Sequence, residues 1–197
     1  MSMPRAFLCG LSLVGATAVL TSQVVSQDAA PEAMPWQQYA VPSEHHDILD
    51  RLAGEWSHRA TVWESPGAEP EVFEMTADYR WILGGRFLIG SYWGYVAGER
   101  FEARDMLGYD NFRQQFDSIW IDNKTTAFTL SSGHYDRRQN ALIMEGTQDD
   151  VDRKVRDEPF RFIYRFGGDD RMVIEVFIPG PQGKMFRRLK VEATRTK

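Results

Sequence analysis

The residue types here that could do chemistry are four histidines, one cysteine and several aspartates set among apolar residues. His45 and His46 are adjacent, so on a helix they diverge by about 100° and cannot clamp one ion together. His46 with Asp50 at i+4 supplies two donors on one face, which is short of a site. Neither His-x-Glu-x-x-His nor Cys-x-x-Cys spacing occurs, so no metal site is expected. No Gly-x-Ser-x-Gly elbow presents a nucleophile. Gly84-Gly85, Gly90, Gly94 and Gly98 do not open a helix, as a phosphate cradle requires. Asp78, Asp105, Asp117 and Asp122 each fall within a β pattern. A carboxylate turned into an apolar interior would have a raised pKa and could do acid–base work. An outward carboxylate needs no special environment, and that is the expectation for each. His58, two residues beyond Trp56 on the same strand face, is the one histidine expected to point inward. A base, a haem ligand and a partner for a neighbouring tyrosine are its three readings, with the last favoured.

The strongest non-random feature is aromatic. Phe73, Met75, Ala77, Tyr79, Trp81 and Leu83 share one face of a strand, and beyond Gly84-Gly85 that face continues through Leu88, Gly90 and Tyr92. Large rings interrupted by Ala77, Gly90 and Gly94 predict a cavity lined by Tyr79, Trp81, Tyr92, Trp120 and His58, with Arg80 as a further polar group. Aromatic walls with a few polar groups are the usual lining of a small-molecule site. The alternative, that these rings simply fill the interior, stays open.

The elements that must position these residues are mostly strands. Ser43 predicts the cap of a short helix over 44–53, with Ile48, Leu49 and Leu52 on one side and Gly54 as its stop. Beyond Gly54 the hydrophobic period changes from that of a helix to two. Ten strands are predicted over 55–64, 72–83, 86–96, 100–109, 115–122, 125–132, 141–148, 160–166, 172–178 and 184–194. Gly84-Gly85 reads as a two-residue hairpin loop. Ala97-Gly98, Asp110-Asn111, Gly167-Gly168 and Pro179-Gly180 mark other short turns, so consecutive strands should be antiparallel neighbours. Such a meander leaves two bare edges unless it closes. The fold class expected is therefore all-β, an up-and-down barrel of about ten strands with a short N-terminal helix. The charged stretch 149–158 reads as a solvated loop. Lys184, Arg187, Arg188 and Lys190 read as an outer solvated face.

The chain opens with Arg5, an apolar run over 6–20 and a polar segment with Val24 and Ser26 suitably placed for cleavage. This is the layout of a secretory signal peptide over 1–26. A flexible leader over 27–42 and one domain over 43–197 are expected to follow. Cys9, the only cysteine, would leave with the signal. With a net charge of −5, the sequence argues against a general nucleic-acid binder. A periplasmic or secreted protein is expected, with no stable membrane insertion after cleavage.

A short helix followed by Gly54-Glu55-Trp56 resembles the opening of lipocalin-like (calycin) barrels. In those barrels a tryptophan plugs the closed end and a basic residue near the end of the last strand packs over it, here Trp56 and Arg195. A resemblance over nearly the whole chain is carried by several blocks. They are His46, Leu49 and Leu52 to Trp56; Arg80 to Leu88; Gly108-Tyr109-Asp110-Asn111; Ser118 to Asp122; and Thr194-Arg195. It is similar to the bacterial domain of unknown function 1579 family. The resemblance implies a lipocalin-like barrel and frequent export, and carries over no catalytic residues. Nitrobindin-type haem barrels are of similar size, with the proximal histidine on a C-terminal strand. No histidine follows His134 here, so no cofactor is expected.

Three functions fit these residues. One is a barrel binding a small apolar or aromatic molecule. Another is a lyase-, isomerase- or hydrolase-type enzyme using His58 or an inward Asp, with Arg80 or Arg104 stabilising an anion. The last is an interaction module whose outer Trp63 and Trp93 meet a partner or a second copy in a homodimer.

Overall fold

In the computed structural model, residues 34–197 are described apart from residue 152. The signal peptide expected over 1–26, with its cysteine, and the expected leader as far as residue 33 lie outside them. From Gly54 onward, alternation of inward and outward side chains produces ten strands. They are β1 (Gly54–Val62), β2 (Glu71–Ile82), β3 (Phe87–Val96), β4 (Glu99–Asp110), β5 (Gln115–Asp122), β6 (Thr129–Asp136), β7 (Ala141–Asp150), β8 (Val155–Phe166), β9 (Arg171–Pro179) and β10 (Met185–Arg195). Each pairs antiparallel with its neighbours in sequence, and β1 closes the barrel on β10. Among the described residues no helix is long and apolar enough to cross a membrane.

The boundaries depart from expectation where side-chain patterning is weak. β6 lies four residues later than 125–132. The charged stretch 149–158 is largely strand rather than loop, because β7 runs through Asp150 and β8 begins at Val155, with a register shift between Gln148 and Asp150. The helix, α1 (His46–Asp50), is shorter than 44–53 and has no side-chain cap from Ser43. At 83–86 the connection is four residues long rather than two, with Leu83, Gly84 and Gly85 all at positive φ. The two-residue left-handed turn sits instead at Ala97-Gly98, between β3 and β4.

One end of the barrel is closed by α1 and the chain termini. Leu49 and Leu52 are fully buried beside Trp56. The Trp56 indole Nε1 donates to the Leu52 carbonyl at 2.7 Å. The Arg195 guanidinium lies 4.3 Å over the Trp56 ring and donates to the carbonyls of Ala53, Arg51 and Asp169. Gly54 is required where β1 leaves the helix: its φ is +110°, and a Cβ would meet the Lys197 carbonyl at 2.6 Å. The chain ends are knitted there by Glu55 N–H to Lys197 O (3.0 Å) and Thr196 N–H to Glu55 O (2.7 Å).

The incoming segment is also held in place. Asn111 Nδ2 donates to the carbonyls of Tyr39 (3.0 Å) and Val41 (2.8 Å), so the part of the leader just before residue 43 is pinned to the barrel. The opposite end differs. Phe73, Met75, Phe101, Trp120, Phe162 and Leu189 pack on the core there but stay only partly buried. Strand parity turns them toward the barrel axis, so they ring the interior at the end away from α1, called the cup below.

Candidate functional site

Midway along the barrel, β4 turns Asp105 inward, on the face it shares with Ala103 and Leu107. Opposite it on β3 is Gly90, whose missing side chain makes the space. A Cβ at Gly90 would fall 2.1 Å from Asp105 Oδ1. The Gly90 N–H instead donates to that oxygen at 2.8 Å. The other oxygen, Oδ2, accepts from the hydroxyls of Tyr92 (2.8 Å) and Tyr164 (3.3 Å). The Tyr92 and Tyr79 hydroxyls are 2.7 Å apart. Tyr92 has one proton and spends it on the carboxylate, so Tyr79 donates to the Tyr92 oxygen.

Burial raises the pKa of Asp105 from 3.8 to about 6, against the lowering effect of its bonds from Tyr92, Gly90 and Tyr164. The three tyrosines are pushed well above the ordinary value, by burial first and then by the Asp105 charge. They therefore remain proton donors at neutral pH. Asp105 is a carboxylate held by three donors in a dry site.

β1 places His58 beside this cluster, its ring 6.0 Å from that of Tyr92. It is 1% exposed, and burial lowers its pKa to about 4, so it is neutral at pH 7. Its Nε2 is buried with no hydrogen-bond partner. Leaving such an atom unpaired costs about 1–3 kcal/mol. On the side nearer the cup, Trp120 packs against Tyr92 at 5.0 Å between ring centroids. Its Nε1 donates to Asp122 at 2.9 Å.

Of the side chains expected to line a site, the structure thus brings together Tyr79, Tyr92, Trp120 and His58. Two lie elsewhere. Arg80 follows an inward residue and so points out, where its Nε donates to Asp78 at 2.6 Å. Trp81 faces inward but at the closed end, with Nε1 donating to Asp50 at 2.8 Å beneath α1. Arg104 also points outward and donates to the Ala103 carbonyl, so neither arginine can serve an interior anion. Trp63 lies beneath Arg187, 5.0 Å from its guanidinium, while Trp93 is exposed on the outer face.

Asp105, expected outward, is the largest correction. Its apolar companions at every second position were the available signal. Tyr164 shares the inward parity of Phe160, Phe162 and Phe166 on β8, but only closure of the barrel carries that strand across to Asp105 on β4. His46 Nδ1 accepts from Ser43 N–H, and Asp50 Oδ1 accepts from Trp81 Nε1. Among the described residues no three His, Cys, Asp or Glu side chains converge as metal ligands.

A second concavity, of about 530 Å³, lies outside the barrel between residues 39–42 and the outer surface of β3 to β6. Phe87, Met106 and Ile119 line it. It is larger than a single side chain but holds no buried unpaired polar atom, so the interior is the better candidate for chemistry.

The fold and this interior define a class: a closed, ten-stranded antiparallel barrel, plugged by tryptophan and arginine, with a carboxylate–tyrosine cluster at mid-height. Within that class the chain belongs to the family described as protein of unknown function (DUF1579), whose profile matches residues 41–195. No curated protein matches the chain. The crystal structure of Rv2717c from M. tuberculosis is similar, with a TM-score of 0.57 and 12% identity over 80% of this chain and 100% of that one. At that identity the likeness shows the fold alone.

Proposed function

We propose that this protein is an exported barrel that binds a small apolar or aromatic molecule non-covalently in the cup above Tyr92. The observation that carries this reading is the unpaired, buried His58 Nε2 beneath a ring of half-buried inward-facing side chains. A well-packed filled core would satisfy the first and bury the second. Asp105 has all its oxygens engaged by Gly90, Tyr92 and Tyr164, which favours a fixed polar floor over a proton-transfer role. Export rests on the charged start, apolar run and small-residue cleavage position of residues 1–26.

Native mass spectrometry of the protein from its own host tests both parts. The expected result is a chain shortened by its first 26 residues, carrying a stoichiometric small-molecule adduct that denaturation releases. Trp120→Ala should weaken or abolish the adduct. A bare wild-type mass, with no binding of added apolar aromatics, would overturn the binding reading. A chain retaining its N-terminus in the host would overturn export.

A further inference from the structure

The polar atoms of the cup's floor specify its ligand more narrowly. We propose, resting on the binding reading above, that the cup selects uncharged aromatic molecules carrying one hydroxyl, seated on His58 Nε2, and turns away anions. His58 is 1% exposed and its Nε2 is buried without a partner, so a ligand group bonded there relieves an existing penalty. A hydroxyl both donates and accepts, and therefore pairs with either tautomer of a neutral imidazole. The rings of Tyr92 and Trp120, 5.0 Å apart and tilted, offer the faces against which a flat ligand body packs.

Exclusion of anions follows from charge placement. Among the described residues Asp105, Glu158 and Glu175 are buried, and no lysine or arginine is. The donors around Asp105 are already used: Gly90, Tyr92 and Tyr164 on the carboxylate, and Tyr79 on Tyr92. Nothing on the floor is left to hold a second negative charge. Toward the open end Arg153 is engaged by Asp150 and Glu158 and Arg188 by Glu64, while Lys154, Arg156 and Lys184 are turned to solvent. An anionic head entering the cup would lose its water and meet a carboxylate.

Calorimetric titration of the intact protein at pH 7.5 with naphthalene, 2-naphthol and 2-naphthoate separates the elements of the proposal. The expected order is 2-naphthol at least tenfold tighter than naphthalene, with 2-naphthoate weaker than both. His58→Leu, or His58→Phe should that variant not fold, should bring 2-naphthol down to naphthalene while leaving naphthalene within about twofold. Asp105→Asn should narrow the deficit of 2-naphthoate. Equal affinity of 2-naphthol and naphthalene for wild type, survival of the tenfold preference without His58, or tight 2-naphthoate binding would each overturn the selectivity while leaving the cup as a binding site. Failure of all three compounds to bind would instead overturn the cup, and this proposal with it.

Discussion

Replacing Asp105 by Asn should make the barrel more stable, and only at the pH values where the carboxylate is charged. Folding carries this group from an ordinary pKa of 3.8 to about 6, chiefly by burial. A raised acid pKa means that the folded state binds the proton more tightly than the unfolded chain does. The contribution to stability is thus fully present below pH 3.8 and is lost as pH rises through about 6. At about 1.4 kcal/mol per pH unit, the interval corresponds to a cost on the order of 3 kcal/mol at pH 8. Asn keeps an oxygen for the Gly90 N–H and presents an N–H to the Tyr92 oxygen, freeing the Tyr92 proton for Tyr79, so most of the network survives. For a domain of this size, about 2–4 °C per kcal/mol translates the cost into roughly 6–12 °C. Thermal unfolding followed by circular dichroism, wild type beside Asp105→Asn at several pH values, reads it directly. The variant should lead at pH 8, and its lead should shrink to a fraction of a kcal/mol by about pH 4. A gap that stays constant across that range would refute the reasoning, because it would mean that charge burial at Asp105 is not what the substitution relieves.

Gly90→Ala should destabilise by about 1–3 kcal/mol or more in urea unfolding, since its Cβ would sit 2.1 Å from Asp105 Oδ1. Combining it with Asp105→Ala should recover part of that loss, and strict additivity in the double-mutant cycle would deny that the two share one space. Arg195→Ala removes the cover of Trp56 and three bonds to backbone carbonyls. It should cost about 2–4 kcal/mol, and Arg195→Lys should restore less than half, because an ammonium cannot reproduce the planar fork.

The architecture was legible wherever alternation was strong. β2 carries large apolar residues on one face and mostly polar ones on the other, and the predicted limits of β2 and β3 lie within a residue or so of the observed ones. β6 failed because its inward residues are Thr129, Ser131, Gly133 and Tyr135, while Leu130 faces solvent at 59% exposure. There the pattern that marks a core face is inverted. The start of β8 failed because Arg156, Asp157 and Glu158 read as loop, and only pairing with β7 beyond its register shift makes them strand. In the site, Tyr79, Tyr92, Trp120 and His58 could be grouped because parity and aromatic content are local properties. Asp105 was misjudged by weighing its charge above its neighbours. Its burial depends on Gly90 across the β3–β4 ladder, and no reading of β4 by itself contains that fact.

The ladder between β1 and β10 sets a condition on when this protein can exist as a barrel at all. Every other ladder joins strands adjacent in sequence, so each can form as a hairpin with a short loop to close. The β1–β10 seam must bring Trp56 to Arg195 across almost the whole domain, and such distant pairings are the slow, entropically costly ones. Nine hairpin ladders can therefore accumulate in a curled, open sheet with two bare edges, a form prone to pairing with other chains. Only when β10 and its arginine are in place can the sheet seal, and the Trp56–Arg195 contact then acts as the clasp that distinguishes a closed barrel from a sticky ribbon.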